Sequence, residues 1–219
     1  MPTQAERRSA TRADLLEAAV DILCEEGAAG FTTGAVVGRA GLSNGALYRH
    51  FPTRDALLAA TVEEVLALLR ADFDAAFATL GDREVEVGLL LRLLWEVMRD
   101  PRLRAVYDAY AAARTDPVLR AAIEPVVRAH VERLAAAGRE VLTRVPGVDD
   151  GMADRATALA VMAMQGHAVN TTVLPDDEAT ARLLETLELI AGVLLGGATL
   201  PPASAPAAAP AATGGSRPC

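Results

Sequence analysis

The chain has 219 residues, of which 52% are hydrophobic and 4% aromatic, and its formal net charge is −8. A chain of this length can form one or two domains with packed cores, and its two cysteines exclude a disulfide framework. Neither a signal-peptide pattern nor an apolar run of about 18 residues occurs, so the sequence predicts a cytoplasmic protein that does not enter a membrane.

The first predicted element is a helix from about Glu6 to Glu26, ended by Gly27. Glycine favours this position because it readily adopts the left-handed backbone that closes many helices. The apolar residues of the segment recur at helical spacing and form one face: Leu15, Leu16, Ala19, Ile22 and Leu23. This periodicity indicates a helix with one buried side.

Two short helices follow, with a glycine between them. Thr32 or Thr33 is the expected N-cap of the first, and Gly41 makes the turn after it. Ser43 is the expected N-cap of the second short helix, which Pro52 ends. A helix, a glycine turn and a second helix of this length together predict a helix-turn-helix.

The rest of the chain is also predicted to be helical. Long β-branched or alternating runs are scarce, so the sequence predicts an all-α fold. Pro125 is expected to kink or interrupt the helix that contains it. The predicted helices span residues 6–26, 33–40, 44–50, 54–80, 85–99, 101–114, 117–144, 152–174 and 178–195.

Positive charge is concentrated around the predicted turn. The segment 28–54 contains three arginines (Arg39, Arg49 and Arg54) and no acidic residue, whereas the chain from Asp55 onward has 15 arginines against 23 acidic residues. One basic segment on an acidic protein fits a confined DNA-contact surface better than a general affinity for nucleic acids.

The motif AGLSNGALYRHF, followed by RDALL, resembles the DNA-binding region of the tetracycline-repressor (TetR) family of bacterial transcription regulators. The resemblance covers about Arg12 to Ala60. The sequence departs from the family pattern at Gly34, where many relatives carry a basic residue that reaches DNA. It also departs at Val37, where the motif usually has alanine.

The resemblance implies a particular organisation of the all-α fold. Residues 1–53 would form an N-terminal helix-turn-helix DNA-binding domain, and residues 54–197 would form a C-terminal helical domain for effector binding and dimerisation. Residues 198–219 are rich in Pro and Ala and are predicted to be disordered.

The second short helix is expected to enter the major groove of DNA. Asn44, Ala46 and Arg49 are predicted to face the groove floor, where asparagine pairs with adenine and arginine with guanine. Gly45 would allow a close approach of the backbone. The resemblance implies phosphate contacts for the other positions, although ordinary surface packing is the alternative for Tyr48 and His50. The full predicted set is Thr33, Asn44, Gly45, Ala46, Tyr48, Arg49, His50 and Arg54.

Large and polar-tipped side chains in the middle of the chain are predicted to line an effector pocket. Tyr107, Tyr110 and Arg114 fall on one face of a helix at spacings i, i+3 and i+7, and three polar tips there need partners. The alternative is that these side chains only pack the core. The predicted effector-site residues are Trp95, Met98, Tyr107, Tyr110, Arg114, Gln165 and His167.

The last two helices are predicted to form a dimer interface, as the resemblance implies. The alternative is that their apolar faces pack only within one chain. The apolar face of the final helix consists of Leu183, Leu184, Leu187, Ile190, Ala191 and Leu194.

These features predict a homodimeric DNA-binding regulator, namely a repressor that a small apolar or amphipathic effector releases from a pseudo-palindromic operator. No catalytic constellation, metal-ligand spacing or cofactor motif is found, so neither enzymatic activity nor a cofactor is expected. Two alternatives are a helical regulator that responds to a protein partner, and a small-molecule-binding protein with a relic DNA-binding region.

Overall fold

The computed structural model describes residues 3–79 and 86–194. Within these ranges the regular elements are all α-helices, which confirms the predicted fold class. The predicted tail, residues 198–219, lies outside the described residues. The helices are α1 (Gln4–Gly30), α2 (Thr33–Ala40), α3 (Asn44–Tyr48), α4 (Arg54–Ala78), α5 (Val87–Met98), α6 (Pro101–Ala113), α7 (Pro117–Leu142), α8 (Asp150–Thr171) and α9 (Asp177–Leu194).

Local capping sets the ends of the helix-turn-helix. The Thr32 hydroxyl accepts a hydrogen bond from the backbone N–H of Ala35 at 3.1 Å, so Thr32 rather than Thr33 caps α2. Gly41 closes α2 with φ 65° and ψ 28°, a left-handed conformation that glycine adopts at little cost. The Ser43 hydroxyl caps α3 by accepting from Ala46 at 3.2 Å. The predicted turn is therefore confirmed, although α3 ends two residues earlier than expected.

The backbone of α1 has a sharp kink near its end. Gly27 has φ 64° and ψ −174°, a region that is essentially restricted to glycine. A methyl group added there would also lie 3.2 Å from the Asp108 carboxylate of α6. Gly27 thus interrupts α1 at the residue where the sequence predicts its end, but the helix resumes and continues to Gly30.

Replacing Gly27 by alanine is expected to destabilise the protein by about 1–3 kcal/mol, because alanine must adopt this strained conformation. Thermal unfolding followed by far-UV circular dichroism measures the effect. Gly38→Ala is the matched control, since Gly38 lies in α2 with open space around an added methyl group. That control should gain up to about 1 kcal/mol through helix propensity. A Gly27→Ala protein that melts at the wild-type temperature would contradict the expectation.

Contacts divide the chain into two compact units. Of the described residues, the first unit holds 3–69 and 101–129, and the second holds 70–79, 86–100 and 130–194. Helix α6 packs on α1 in the first unit. The predicted division at residue 53 is a functional one and stays a prediction.

The second unit has a core between α5, α7, α8 and α9. Val145, Val148 and Ala153 are buried at its centre. Gly138 of α7 lies so close to α8 that an added methyl group would collide with the Thr157 side chain. Arg139 of α7 donates a hydrogen bond of 2.6 Å to the Asp154 carboxylate. Glycine at this crossing therefore permits the close packing of α7 and α8.

The predicted dimer face of α9 is oriented differently from the prediction. Leu187 is only 5% exposed, and Ala191 packs against the core of its own unit. The prediction that this face is free to meet a second copy is wrong at these positions, because the face covers α5 and α8 of the same chain.

Other apolar side chains of the last two helices are exposed. On α8, Leu159, Met162 and Val169 recur at intervals of three and seven residues, which places them along one side of the helix, and Val173 follows the helix. The α8–α9 apolar set consists of Leu159, Met162, Val169, Val173, Leu189 and Val193. Among the described helices, none is long and apolar enough to cross a membrane.

Candidate nucleic-acid interface

Helix α3 presents its polar residues outward from a buried base. Leu47 is fully buried, whereas Asn44, Gly45, Tyr48 and Arg49 are exposed. The exposed residues occupy the first and last turns of the short helix. The arrangement leaves the polar side chains of α3 open to solvent.

Ala46 does not belong to that surface. It was predicted to face the groove floor, but it is 8% exposed and packs inward beside Leu47. The Ser43 cap fixes this orientation, since the Ser43 hydroxyl accepts from the backbone N–H of Ala46. The outward placement of the Ala46 side chain is therefore wrong.

Gly45 and Arg49 are joined by a hydrogen bond along α3. The Nε of Arg49 donates to the carbonyl oxygen of Gly45 at 3.0 Å, which lays the side chain back over the helix surface. A methyl group added at Gly45 would meet only the Ser43 hydroxyl, at the ordinary contact distance of 3.9 Å. Packing among the described residues therefore does not require glycine here.

Two arginines of α1 join α3 in a basic face, here defined as Arg8, Arg12, Arg49 and His50. The Arg12 guanidinium lies 5.4 Å from the centre of the Phe51 ring, next to His50. Partial burial, followed by the positive charges of Arg8, Arg12 and Arg49, lowers the pKa of His50. Burial and three nearby cations thus favour the neutral imidazole near pH 7 in the free protein.

Arg8 and Arg12 were not among the predicted site residues. They precede the basic segment 28–54, in a stretch that is acidic overall. Their i, i+4 spacing on α1 is the only sequence signal that they share one face of a helix. Folding places that face beside the end of α3, which charge counting along the chain does not detect.

Arg39, by contrast, is already paired within the chain. Its two terminal nitrogens donate to the Glu25 carboxylate of α1 at 3.0 and 2.5 Å, and Asp21 lies 3.7 Å away. The hydrogen bonds that Arg39 donates to the Glu25 carboxylate raise the pKa of Arg39. Part of the formal positive charge of segment 28–54 is therefore balanced by α1.

Arg54 is also held by its own chain. Its Nε donates to the Phe31 carbonyl and one terminal nitrogen donates to the Ala28 carbonyl, both at 2.8 Å. The remaining predicted contact, Thr33, is half-buried as the first residue of α2. The DNA roles of these two residues stay predictions.

Four of the predicted effector residues lie in the second unit. Trp95 and Met98 are buried on α5, while Gln165 and His167 are half-buried on α8. The rings of Trp95 and His167 have centroids 5.4 Å apart. His167 Nε2 lies 2.8 Å from the Thr180 hydroxyl, which itself donates to a backbone carbonyl. Trp95 and His167 are thus brought into direct contact.

The other three predicted effector residues lie in the first unit. Tyr107 and Tyr110 are half-buried on α6, with ring centroids 6.1 Å apart. Burial raises the pKa of Tyr110 to about 12, so its phenol is neutral at physiological pH. Arg114 follows the end of α6 and is exposed. The tyrosines form a pair, and Arg114 stands in solvent beyond the helix.

The comparisons with known proteins agree with this architecture. The family model described as "Bacterial regulatory proteins, tetR family" matches residues 15–61. The HTH-type transcriptional regulator Mb2936c of Mycobacterium bovis is 30% identical over 179 residues, which cover 80% of this chain and 90% of the relative.

Two solved structures have a similar fold. The multidrug binding protein EbrR, complexed with imidazole, has a TM-score of 0.60 at 22% identity, over 80% of this chain and 93% of its own. FadR of Bacillus subtilis, in complex with stearoyl-CoA, has a TM-score of 0.57 at 14% identity, over 85% of this chain and 99% of its own. These two structures show the fold, whereas the family model and the sequence relative show that the chain belongs to the TetR family and is a DNA-binding transcriptional regulator.

Proposed function

We propose that the protein is a cytoplasmic homodimeric repressor that reads a pseudo-palindromic operator and leaves it when a small molecule binds. The observation that carries the DNA part of this proposal is the exposed surface of α3 with the basic face beside it. Polar side chains on a short exposed helix can reach base edges, while neighbouring cations hold the phosphates.

The proposed contacts follow from exposure and chemistry. Asn44 and Arg49 are the base readers, because an amide and a guanidinium each match the donor and acceptor pattern of one base edge. Tyr48 is 51% exposed and carries a hydroxyl that can donate to a phosphate. Arg8 and Arg12 supply the charge on the same surface, close enough to His50 to lower its pKa. Gly45 and Thr33 complete the proposed contact set.

Substituting a base reader should relax sequence preference without abolishing binding. Arg49→Ala and Asn44→Ala are each expected to cost about 1–3 kcal/mol on the preferred site and less on other sequences. The measurement is selection from a randomised DNA pool with the wild type, followed by competition binding with each variant. An Arg49→Ala protein that selects the wild-type sequence would show that Arg49 is not a reader, and failure of the wild type to select any sequence would count against the proposed readout.

The spacing of the two half-sites of an operator requires a second copy of the chain. One short helix contacts only a few base pairs, and two half-sites one helical turn apart, about 34 Å, need a two-fold pair of reading helices. The α8–α9 apolar set is the surface that we propose for that pairing, since exposed apolar patches of this kind mark interfaces.

The effector site that we propose lies around Trp95 and His167 in the second unit, with Met98 and Gln165. An aromatic ring, an imidazole and a thioether offer an apolar wall with a few polar groups, which suits a small amphipathic molecule. The complexes of EbrR with imidazole and FadR with stearoyl-CoA support a small-molecule role by similarity of fold. Tyr107, Tyr110 and Arg114 lie in the first unit, and their role in effector binding stays a separate prediction.

Helix α4 offers a route for the release. Its first part, through Leu69, belongs to the first unit, and the part from Arg70 belongs to the second. We propose that the effector favours a conformation in which α4 changes the spacing of the two reading helices. The size of the effect is limited by the differential affinity of the effector for the two conformations.

Trp95 is the single tryptophan of the chain, so its fluorescence reports on the proposed site directly. Titration with hydrophobic amines, acyl chains and aromatic compounds should change the emission for compounds that also release DNA. His167→Ala should weaken the binding of those compounds while leaving DNA binding intact. An effector that releases DNA with the same potency from wild type and His167→Ala would place the site elsewhere.

A further inference from the structure

The guanidinium of Arg54, at the start of α4, contacts the end of α1 and the residue that follows α1. Its Nε and one terminal nitrogen donate to the carbonyls of Phe31 and Ala28, each at 2.8 Å. The other terminal nitrogen lies 3.3 Å from the Asp55 carboxylate. The guanidinium carbon is 5.8 Å from the centre of the Phe31 ring. Such a planar fork cannot be matched by a lysine, which presents a single compact ammonium.

The two carbonyls mark a special place in the chain. Ala28 lies in the last turn of α1, where carbonyl oxygens have no partner within the helix, and Phe31 is the fully buried residue between α1 and α2. Arg54 itself opens α4. The segment closed by these contacts contains α2, Gly41 and α3, so the reading helix lies inside a closed loop.

We infer that Arg54 is a positioning residue that holds α3 at the correct angle by tying the start of α4 to the end of α1, and that it does not act as a phosphate contact. The inference rests on the proposed DNA readout. In this role Arg54 holds the backbone around the helix-turn-helix, whereas the sequence resemblance implied that it contacts DNA directly. The cations left for phosphate are then those of the basic face.

The two roles predict opposite behaviour of a lysine variant. A phosphate contact would be largely preserved in Arg54→Lys and would be lost in Arg54→Ala, with a decrease in the salt dependence of binding of about 0.9 per contact. A positioning residue would fail in both variants. Both would melt at lower temperature without DNA, and both would bind more weakly with an unchanged slope of log K against log salt.

The experiment measures thermal unfolding of wild type, Arg54→Lys, Arg54→Ala and the exposed control Arg120→Ala in the absence of DNA. It then measures affinity for a duplex selected from a randomised pool by the wild type, well below every melting temperature and at several salt concentrations. A role in stability alone would leave the affinity of the folded variants unchanged, so a loss of at least about tenfold in Arg54→Lys supports positioning.

Wild-type affinity in Arg54→Lys, whatever its melting temperature, or a shallower salt slope in Arg54→Ala, would overturn the inference. If Arg54→Ala does not fold, the lysine variant alone decides between the two roles. Failure of the proposed DNA readout can be distinguished from failure of this inference. In the first case the wild type would select no duplex, while the melting temperatures of the Arg54 variants would still show whether the contacts of Arg54 with Ala28 and Phe31 stabilise the fold.

Discussion

Met162→Arg and Leu189→Arg are each expected to give a folded monomer that has lost most of its operator affinity. Met162 is 70% exposed on α8 and Leu189 is 69% exposed on α9, so neither side chain is needed for the core of its own chain. In a two-fold interface each substitution appears twice, and two buried unpaired guanidinium groups oppose association.

The expected loss of affinity follows from the loss of bivalence. A dimer holds its second reading helix near the second half-site, and this linkage raises affinity by about 10²–10⁴-fold over a single module. Light scattering coupled to size-exclusion chromatography gives the oligomeric state, circular dichroism gives the helix content, and DNA titration gives the affinity. All three are measured on the same preparation.

Two controls separate the interface from general effects of an added charge. Val118→Arg changes an equally exposed side chain, 69% on α7 in the first unit, and should leave the dimer intact. Leu187→Arg places the charge at a buried position of α9 and should destabilise the fold by about 4 kcal/mol or more. A Met162→Arg protein that remains a dimer with wild-type DNA affinity would exclude α8 as the interface.

The helix-turn-helix could be predicted from sequence because its determinants are local. The caps at Thr32 and Ser43 and the left-handed turn at Gly41 depend on residues within three or four positions. Gly27 has the predicted positive φ, but its ψ of −174° differs from that of the left-handed cap, and α1 continues beyond it to Gly30. Signals of this kind act within one turn and do not need the rest of the fold.

Periodicity alone did not decide what each apolar face of α9 packs against. It correctly grouped Leu183, Leu187 and Ala191 on one side of the helix. That side, however, is occupied by helices of the same unit, and Leu187 is buried there. Leu189 and Val193, which fall outside the predicted face, are 69% and 75% exposed, and within the predicted face Leu194 is 43% exposed. Identical periodicity would result from an intrachain core or from a dimer interface.

The roles of the arginines depend on long-range contacts that charge counting cannot detect. Arg39 is paired with carboxylates of α1, and Arg54 binds carbonyls that precede it by 23 and 26 residues. Arg8 and Arg12 reach the reading helix from a segment that is acidic overall. Charge counting along the sequence therefore does not show which arginines are held by their own chain and which lie on the basic face.

Operator binding should depend strongly on salt despite the acidic character of the whole chain. If the dimer neutralises about six to eight phosphates, affinity should fall about 10³-fold or more between about 50 and about 200 mM monovalent salt. The pairing of Arg39 and the contacts of Arg54 leave Arg8, Arg12 and Arg49 as the principal cations on the α3 surface, so their mutation should lower the salt slope most.

Arg8→Ala is the most direct test of this surface. Arg8 is exposed on α1, and each dimer would lose two phosphate contacts, so the slope of log K against log salt should become less negative by about 1.8. Arg104→Ala, which removes an exposed arginine from α6 of the same unit, is the matched control and should leave the slope unchanged. Equal slopes for wild type and Arg8→Ala, with specific binding retained, would remove Arg8 from the interface. If Arg104→Ala reduces the salt slope more than Arg8→Ala does, the DNA instead lies on a surface that includes α6.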